Sequence, residues 1–114
     1  MKIVKFEDIL AWQKAKELTD DCYKYFRTIR DFCFRDQILR AVISIMNNIA
    51  EGFERKGNKE FKQFLFIAKG SSGEVRSMLY IAKSQKYITE KEFDELYEQC
   101  VLISRIISGF IKVL

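Results

Sequence analysis

No proline stands anywhere in this chain of 114 residues, and only five positions are glycine. Proline costs about 3 kcal/mol inside a helix and glycine about 1 kcal/mol, while turn-rich folds use both freely. A chain that nearly dispenses with them is built of long helices. The clearest of these runs from Gln37 to Arg55. At 100° per residue, Ile38, Leu39, Val42, Ile43, Ile45, Met46, Ile49, Ala50 and Phe53 share one broad apolar arc. Opposite them stand Gln37, Arg40, Ser44, Asn48, Glu51 and Arg55, each three or four residues from the next. Neighbours at that spacing touch along a helix, so these side chains form a polar seam. Asn47 and Asn48 together give up about 1 kcal/mol of helix propensity relative to alanine. Surface faces are usually rich in Lys and Glu, and this one carries amides, a hydroxyl and Arg. An interface or binding role accounts for that composition; an ordinary solvated face is the plainer alternative.

The same periodicity marks three more helices. The first begins near Phe6 to Asp8 and runs to about Ile29, with Ala11, Trp12, Ala15, Leu18, Thr19, Cys22, Tyr25, Phe26 and Ile29 inward. A short connection through Asp31 to Phe34 leads to the second, which ends near Lys56. There Gly57 suits a left-handed C-cap and Asn58 the next N-cap. The third helix covers Lys59 to about Gln85, with Phe61, Phe64, Leu65, Ala68, Ser72, Val75, Leu79 and Ala82 on its core face. Gly70 and Gly73 weaken it, which is tolerable if another backbone approaches closely there. Thr89 with Glu92 makes a capping box for a fourth helix, Glu90 to about Val113, whose core face includes Leu96, Tyr97, Cys100, Ile103, Ser104 and Ile107, then Phe110, Ile111 and Leu114. Four helices joined by short loops pack as an all-α, antiparallel up-down-up-down bundle, one domain over residues 1–114.

Apolar residues make up 48% of the chain, with ten Phe, enough for a packed core without disulfides or metal. Cys22, Cys33 and Cys100 are an odd number without Cys-x-x-Cys spacing, and two of them fall on apolar faces. That pattern, with no apolar signal segment among the first residues, points to a reducing, cytoplasmic setting. The run from Cys100 to Leu114 is apolar but short and contains Arg105, so it is a buried helix and not a membrane span.

Chemistry is sparse. There is no histidine, which removes the commonest general base and metal ligand. Gly70-Ser-Ser-Gly73 lies inside a helical pattern, with no preceding strand and no Gly-Lys-Ser/Thr ending, so it is no phosphate loop. Glu51 and Glu74 have no nucleophile paired with them. We expect no enzyme, no cofactor and no metal site. Charge says more. The net value is +4, but Arg55 to Lys86 holds eight cations against Glu60 and Glu74, while Tyr87 to Leu114 holds three against five acids. Lys62, Lys69, Arg76 and Lys83 recur every seven residues, a stripe that drifts only about 20° per heptad. With Arg55, Lys56 and Lys59, it can track a polyanion backbone. Aromatic residues are not interleaved regularly with it, so base stacking is not supported.

The third helix has a second apolar group, Ile67, Met78 and Ile81, roughly opposite its core face, with the small Gly70 and Ser71 alongside. This exceeds what one small bundle can bury and implies subunit contacts. The seam residues Gln37, Arg40, Ser44, Asn48 and Glu51, together with Glu74, then belong either to an interface network or to a groove facing nucleic acid.

Three segments carry a family resemblance. They are Phe6-Glu-Asp-Ile-Leu-Ala-Trp12-Gln-Lys-Ala, then Gln37-x-x-Arg40-Ala41-x-x-Ser44-x-x-x-Asn48-Ile-Ala-Glu-Gly52-x-x-Arg55, then Glu60-Phe61-x-x-Phe64-Leu65-x-x-Ala68-x-Gly70-Ser71-x-x-Glu74. Over nearly the whole chain they resemble the bacterial four-helix bundle proteins encoded in intervening sequences of 23S ribosomal RNA genes, the S23 type. The resemblance implies homopentameric rings and a presumed RNA-binding role. A relative, the accessory protein of diversity-generating retroelements, is a basic pentameric barrel that binds nucleic acid and a reverse transcriptase. This chain departs from the family where Phe26-Arg27 replaces the usual Phe-Pro and where Leu39 replaces one of two Arg before Ala41. The expectation is therefore a non-enzymatic homo-oligomer, pentameric by resemblance, that contacts RNA through its third helix. A scaffold that binds another protein without touching nucleic acid is the alternative.

Overall fold

Each apolar stripe becomes the buried side of a helix. The computed structural model describes residues 2–114. A 3₁₀ turn at Phe6–Asp8 is followed by α1 (Leu10–Phe26), α2 (Phe32–Phe53), α3 (Asn58–Ser84) and α4 (Glu90–Val113). They stand as four neighbours in a square: α1 packs on α2 and α4, and α3 on α2 and α4, with no close backbone approach between diagonal helices. Cross-helix bonds give the directions. Gln37 meets Glu74 while Ser44 meets Ser71, so α2 and α3 are antiparallel. Asn58 at the start of α3 reaches Leu114, and Lys83 at its end reaches Glu90, so α4 runs back along α3. The bundle measures 43 × 23 × 19 Å.

The core is a single column of Leu18, Phe26, Ile38, Ile45, Ile49, Leu65, Leu79, Leu96, Ile103 and Ile107, each under 2% exposed. Aromatic groups close both ends. Phe26 stacks edge-on against Phe34, which meets Tyr87; at the other end Phe61 lies between Phe53 and Phe110. Two polar side chains lie in the core, both satisfied, as burial demands. Thr19 Oγ1 donates to the Ala15 carbonyl at 2.8 Å. Ser72 Oγ donates to the Cys100 carbonyl at 3.1 Å and accepts from Ser104 Oγ at 3.3 Å, which ties α3 to α4. Burial raises the Cys22 thiol well above its ordinary value and pushes Cys100 up to about 12, so both behave as inert packing groups.

Several local expectations change. α1 ends at Phe26, three residues before Ile29, and α2 starts at Phe32, inside the stretch read as a connection. The reason is Asp31, whose Oδ1 accepts the Phe34 N–H at 3.2 Å as an N-cap. Phe34 can then turn inward, 5% exposed. Gly57 is not left-handed: at φ −153° it is extended and serves as the N-cap of α3, and Asn58 is already helical. The one left-handed residue among those described is Lys86, φ 64°, which closes α3 by a paired turn from Lys86 N–H to the Lys83 carbonyl and from Tyr87 N–H to the Ala82 carbonyl. Gly70 and Gly73 have no neighbour within 4 Å of where a Cβ would sit, so no backbone of this chain approaches them. Met78 does not stand opposite the core but packs partly against it. The Thr89–Glu92 capping box forms as expected, with bonds of 2.8 and 3.1 Å.

Candidate functional site

α3 touches both α2 and α4, and its two flanks differ chemically. On the α2 flank lies the polar seam. Asn48 Nδ2 donates to the Ser44 carbonyl at 2.7 Å and to Ser44 Oγ at 2.8 Å. Ser71 Oγ of α3 donates to the same Ser44 Oγ at 2.9 Å. Gln37 Nε2 donates to Glu74 Oε2 at 3.3 Å, and Arg55 pairs loosely with Glu51 at 3.8 Å. The seam is thus three separate links, two of which cross to α3, and not one chain of bonds along α2. Asn48 bonds back onto its own helix, so its amide is satisfied within α2. Arg40 forms no ion pair among the described residues. With Ile43, Ser44, Asn47, Asn48 and Glu51 it lines an open hollow of about 400 Å³. Beside this flank Ile67 and Ile81 are 53% and 46% exposed, whereas the exposed Tyr80 lies on the α4 side, against the Phe93 and Tyr97 rings.

On the α4 flank lies the basic stripe. Arg76 sits 5.9 Å from the centre of the Tyr97 ring. Lys83 stands 4.5 Å from the Phe93 ring and 3.7 Å from Glu90 Oε1. Lys69 and Arg76 line an open groove of about 500 Å³ with Val101, Ser104, Arg105, Ser108, Gly109 and Lys112 of α4. Lys62 is half-buried, two turns further along the same stripe. The remaining basic residues are elsewhere. Arg55 stacks 5.0 Å from Phe64 and, with Lys56, lines a hollow at the α2–α3 turn that also holds Lys2, Phe61 and Phe110. Lys59 is exposed in the first turn of α3.

The structure therefore brings Lys62, Lys69, Arg76 and Lys83 onto one side of α3 and sets Arg55 and Lys56 at the bundle end. Arg105 and Lys112 are not among the basic residues that the sequence assigns to this surface, because charge counted by segment makes α4 acidic overall. Their signal was their own spacing, seven apart on an otherwise apolar half-helix. Glu51 and Glu74 are both exposed, each engaged with a polar neighbour and with no nucleophile. Among the described residues no three His, Cys, Asp or Glu side chains gather as a metal-ligand set, and no helix is long and apolar enough to cross a membrane.

Comparison with known proteins agrees with this architecture. A crystal structure of a protein of unknown function from the S23 ribosomal protein family of Bacteroides thetaiotaomicron VPI-5482 superposes with a TM-score of 0.83 at 24% identity, over 90% of this chain and 99% of that one. At that identity the likeness concerns the fold. No curated protein matches the sequence. The model of the 23S rRNA-intervening sequence protein family matches residues 7–109. From its first helix almost to its last turn, then, this bundle belongs to the 23S rRNA-intervening sequence protein family.

Proposed function

We propose that this protein is a non-catalytic, self-associating bundle that binds structured RNA through its phosphates. The observation that carries the reading is the alignment of Lys62, Lys69, Arg76 and Lys83 on one flank of a single helix. From first to last they span about 32 Å at 1.5 Å per residue. Cations in such a row neutralise successive phosphates and release counterions, which gives affinity without base recognition. The family's association with 23S rRNA genes agrees with an RNA partner. Self-association rests on the other flank of α3, where Ile67 and Ile81 stand about half exposed beside the Ser44–Ser71 and Gln37–Glu74 links, an apolar face that a second copy would cover. Five subunits are the number that the family resemblance implies.

The test is binding of a labelled stem–loop RNA across a salt series, with wild type and a Lys62→Glu, Lys69→Glu, Arg76→Glu variant. Wild type should bind at micromolar protein in moderate salt with a steep salt dependence, and the variant should bind at least tenfold more weakly with a flatter slope. No binding by wild type would reject the reading. The same exposed apolar row favours a second reading, a scaffold whose partner is another protein. It would show itself as association indifferent to salt and to nuclease.

A further inference from the structure

The basic stripe of α3 is not uniform, because α4 changes sign along its length. Its N-terminal half, Glu90 to Glu98, carries five acids against Lys91, whereas Gln99 to Leu114 carries Arg105 and Lys112 and no acid at all. Since α4 runs antiparallel to α3, the acidic half faces the end of α3 that holds Lys83. There the Lys83 ammonium is already engaged by Glu90 at 3.7 Å and by the Phe93 ring at 4.5 Å. A phosphate arriving at Lys83 would meet Glu90 and Glu92 as well, and like charges at such range repel. The basic half faces Lys69, and Arg76 stands at the junction, 5.9 Å from the Tyr97 ring of the acidic half yet still lining the same groove. That groove is lined by Lys69, Arg76, Arg105 and Lys112 without one carboxylate. None of these four, nor Lys62, forms an ion pair among the described residues. Ser104 and Ser108 add hydroxyls to the lining, and nothing lies within 4 Å of where a Cβ on Gly109 would sit, so the floor stays open.

Four cations gathered without a counter-charge repel one another in the free protein, and a bound polyanion relieves that repulsion. Spacing agrees with an extended ligand: each helix contributes cations seven residues apart, roughly 10.5 Å, so two parallel rows face each other across one groove. We propose that the phosphate-binding surface is this α3–α4 groove at the α2–α3 turn end, with Arg105 and Lys112 of α4 as direct phosphate contacts and Lys83 outside it. The proposal rests on the RNA-binding reading and narrows it.

The experiment measures binding of one labelled stem–loop RNA to four variants: Arg105→Glu with Lys112→Glu, Arg105→Gln with Lys112→Gln, Lys83→Glu alone, and the α3 triple variant at Lys62, Lys69 and Arg76. The Gln pair guards against misfolding. Both side chains are exposed, so its helicity and thermal midpoint should match wild type. The expected result is at least a tenfold loss of affinity for either α4 pair, with a salt slope shallower by about 1.5 for two lost contacts. Lys83→Glu should change affinity less than threefold. If the α4 pairs bind as wild type does while the α3 triple variant fails, the groove is wrong and the α3 reading stands. If Lys83→Glu costs as much as the α4 pair, the site extends along the whole stripe and the proposal is overturned. If wild type binds no RNA, both fall together.

Discussion

At Gly52, α2 and α3 approach closely. A Cβ built there would lie 2.6 Å from Phe64 Cβ and 3.0 Å from Phe61 Cδ1. The first of these atoms is fixed to the α3 backbone and cannot swing aside, so an added methyl must push the helices apart. Alanine ordinarily gains about 1 kcal/mol over glycine within a helix. Here overpacking reverses the sign, and Gly52→Ala should lose about 1 to 3 kcal/mol in urea denaturation. Gly73→Ala, in open space, should gain up to about 1 kcal/mol in the same assay. Equal effects of the two substitutions would contradict the close approach. Sequence alone points to Gly70 and Gly73 for the tight contact, because a mid-helix glycine needs a reason. Heptad position held the better signal. Gly52 follows Ile38 and Ile45 at intervals of seven on the buried stripe of α2, whereas Gly70 follows the exposed Gln63.

Helices were legible where their ends carry a side-chain code, and misplaced where the code depends on contacts distant in sequence. Thr89 and Glu92 announce α4 locally, and the apolar period of α3 extends over so many turns that its limits move little. The start of α2 is different, because Asp31 acts there in two directions. Its Oδ1 caps Phe34, and its Oδ2 accepts the Tyr87 hydroxyl at 2.7 Å, joining the α1–α2 turn to the α3–α4 turn across 56 residues. No local pattern contains that pairing. The Tyr87 hydroxyl first, and the Phe34 N–H second, hold the Asp31 carboxyl below its ordinary range, and Asp31 holds the Tyr87 phenol above its own. A lowered carboxyl contributes stability above its unfolded value that is lost as pH falls through the folded one. A raised phenol contributes stability below its unfolded value that is lost as pH rises through the folded one. Tyr87→Phe should therefore be less stable than wild type at neutral pH. The gap should narrow in acid, as Asp31 protonates, and in strong base, as Tyr87 ionises. Urea midpoints collected across pH read this directly, and a gap independent of pH would remove the clasp from the account.

At the scale of the whole molecule, what matters is that one helix separates two surfaces. The α2 flank of α3 combines exposed Ile67 and Ile81 with the Ser44–Ser71 and Gln37–Glu74 links, and the α4 flank carries the cations. Composition could show that both kinds of residue exist, but only the packing order shows that they are on different sides. The segment count of charge hid Arg105 and Lys112 for the same reason. This division allows subunits to join through the first flank while the second stays open, so a closed ring would present one basic groove per subunit. Phosphate contacts across a ring then add, and affinity exceeds that of a single groove by effective concentration alone. Ile67→Glu with Ile81→Glu places two carboxylates on the apolar flank and none near Arg76 or Arg105. In sedimentation this variant should fall from an oligomer to a single bundle of 13.5 kDa with its helicity intact. Its RNA affinity should drop by tenfold or more although every groove cation remains, and the loss should grow with the length of the RNA. A wild type that already sediments at 13.5 kDa would reject the assembly. A dissociated variant that binds long RNA as tightly as wild type would instead show that one groove suffices.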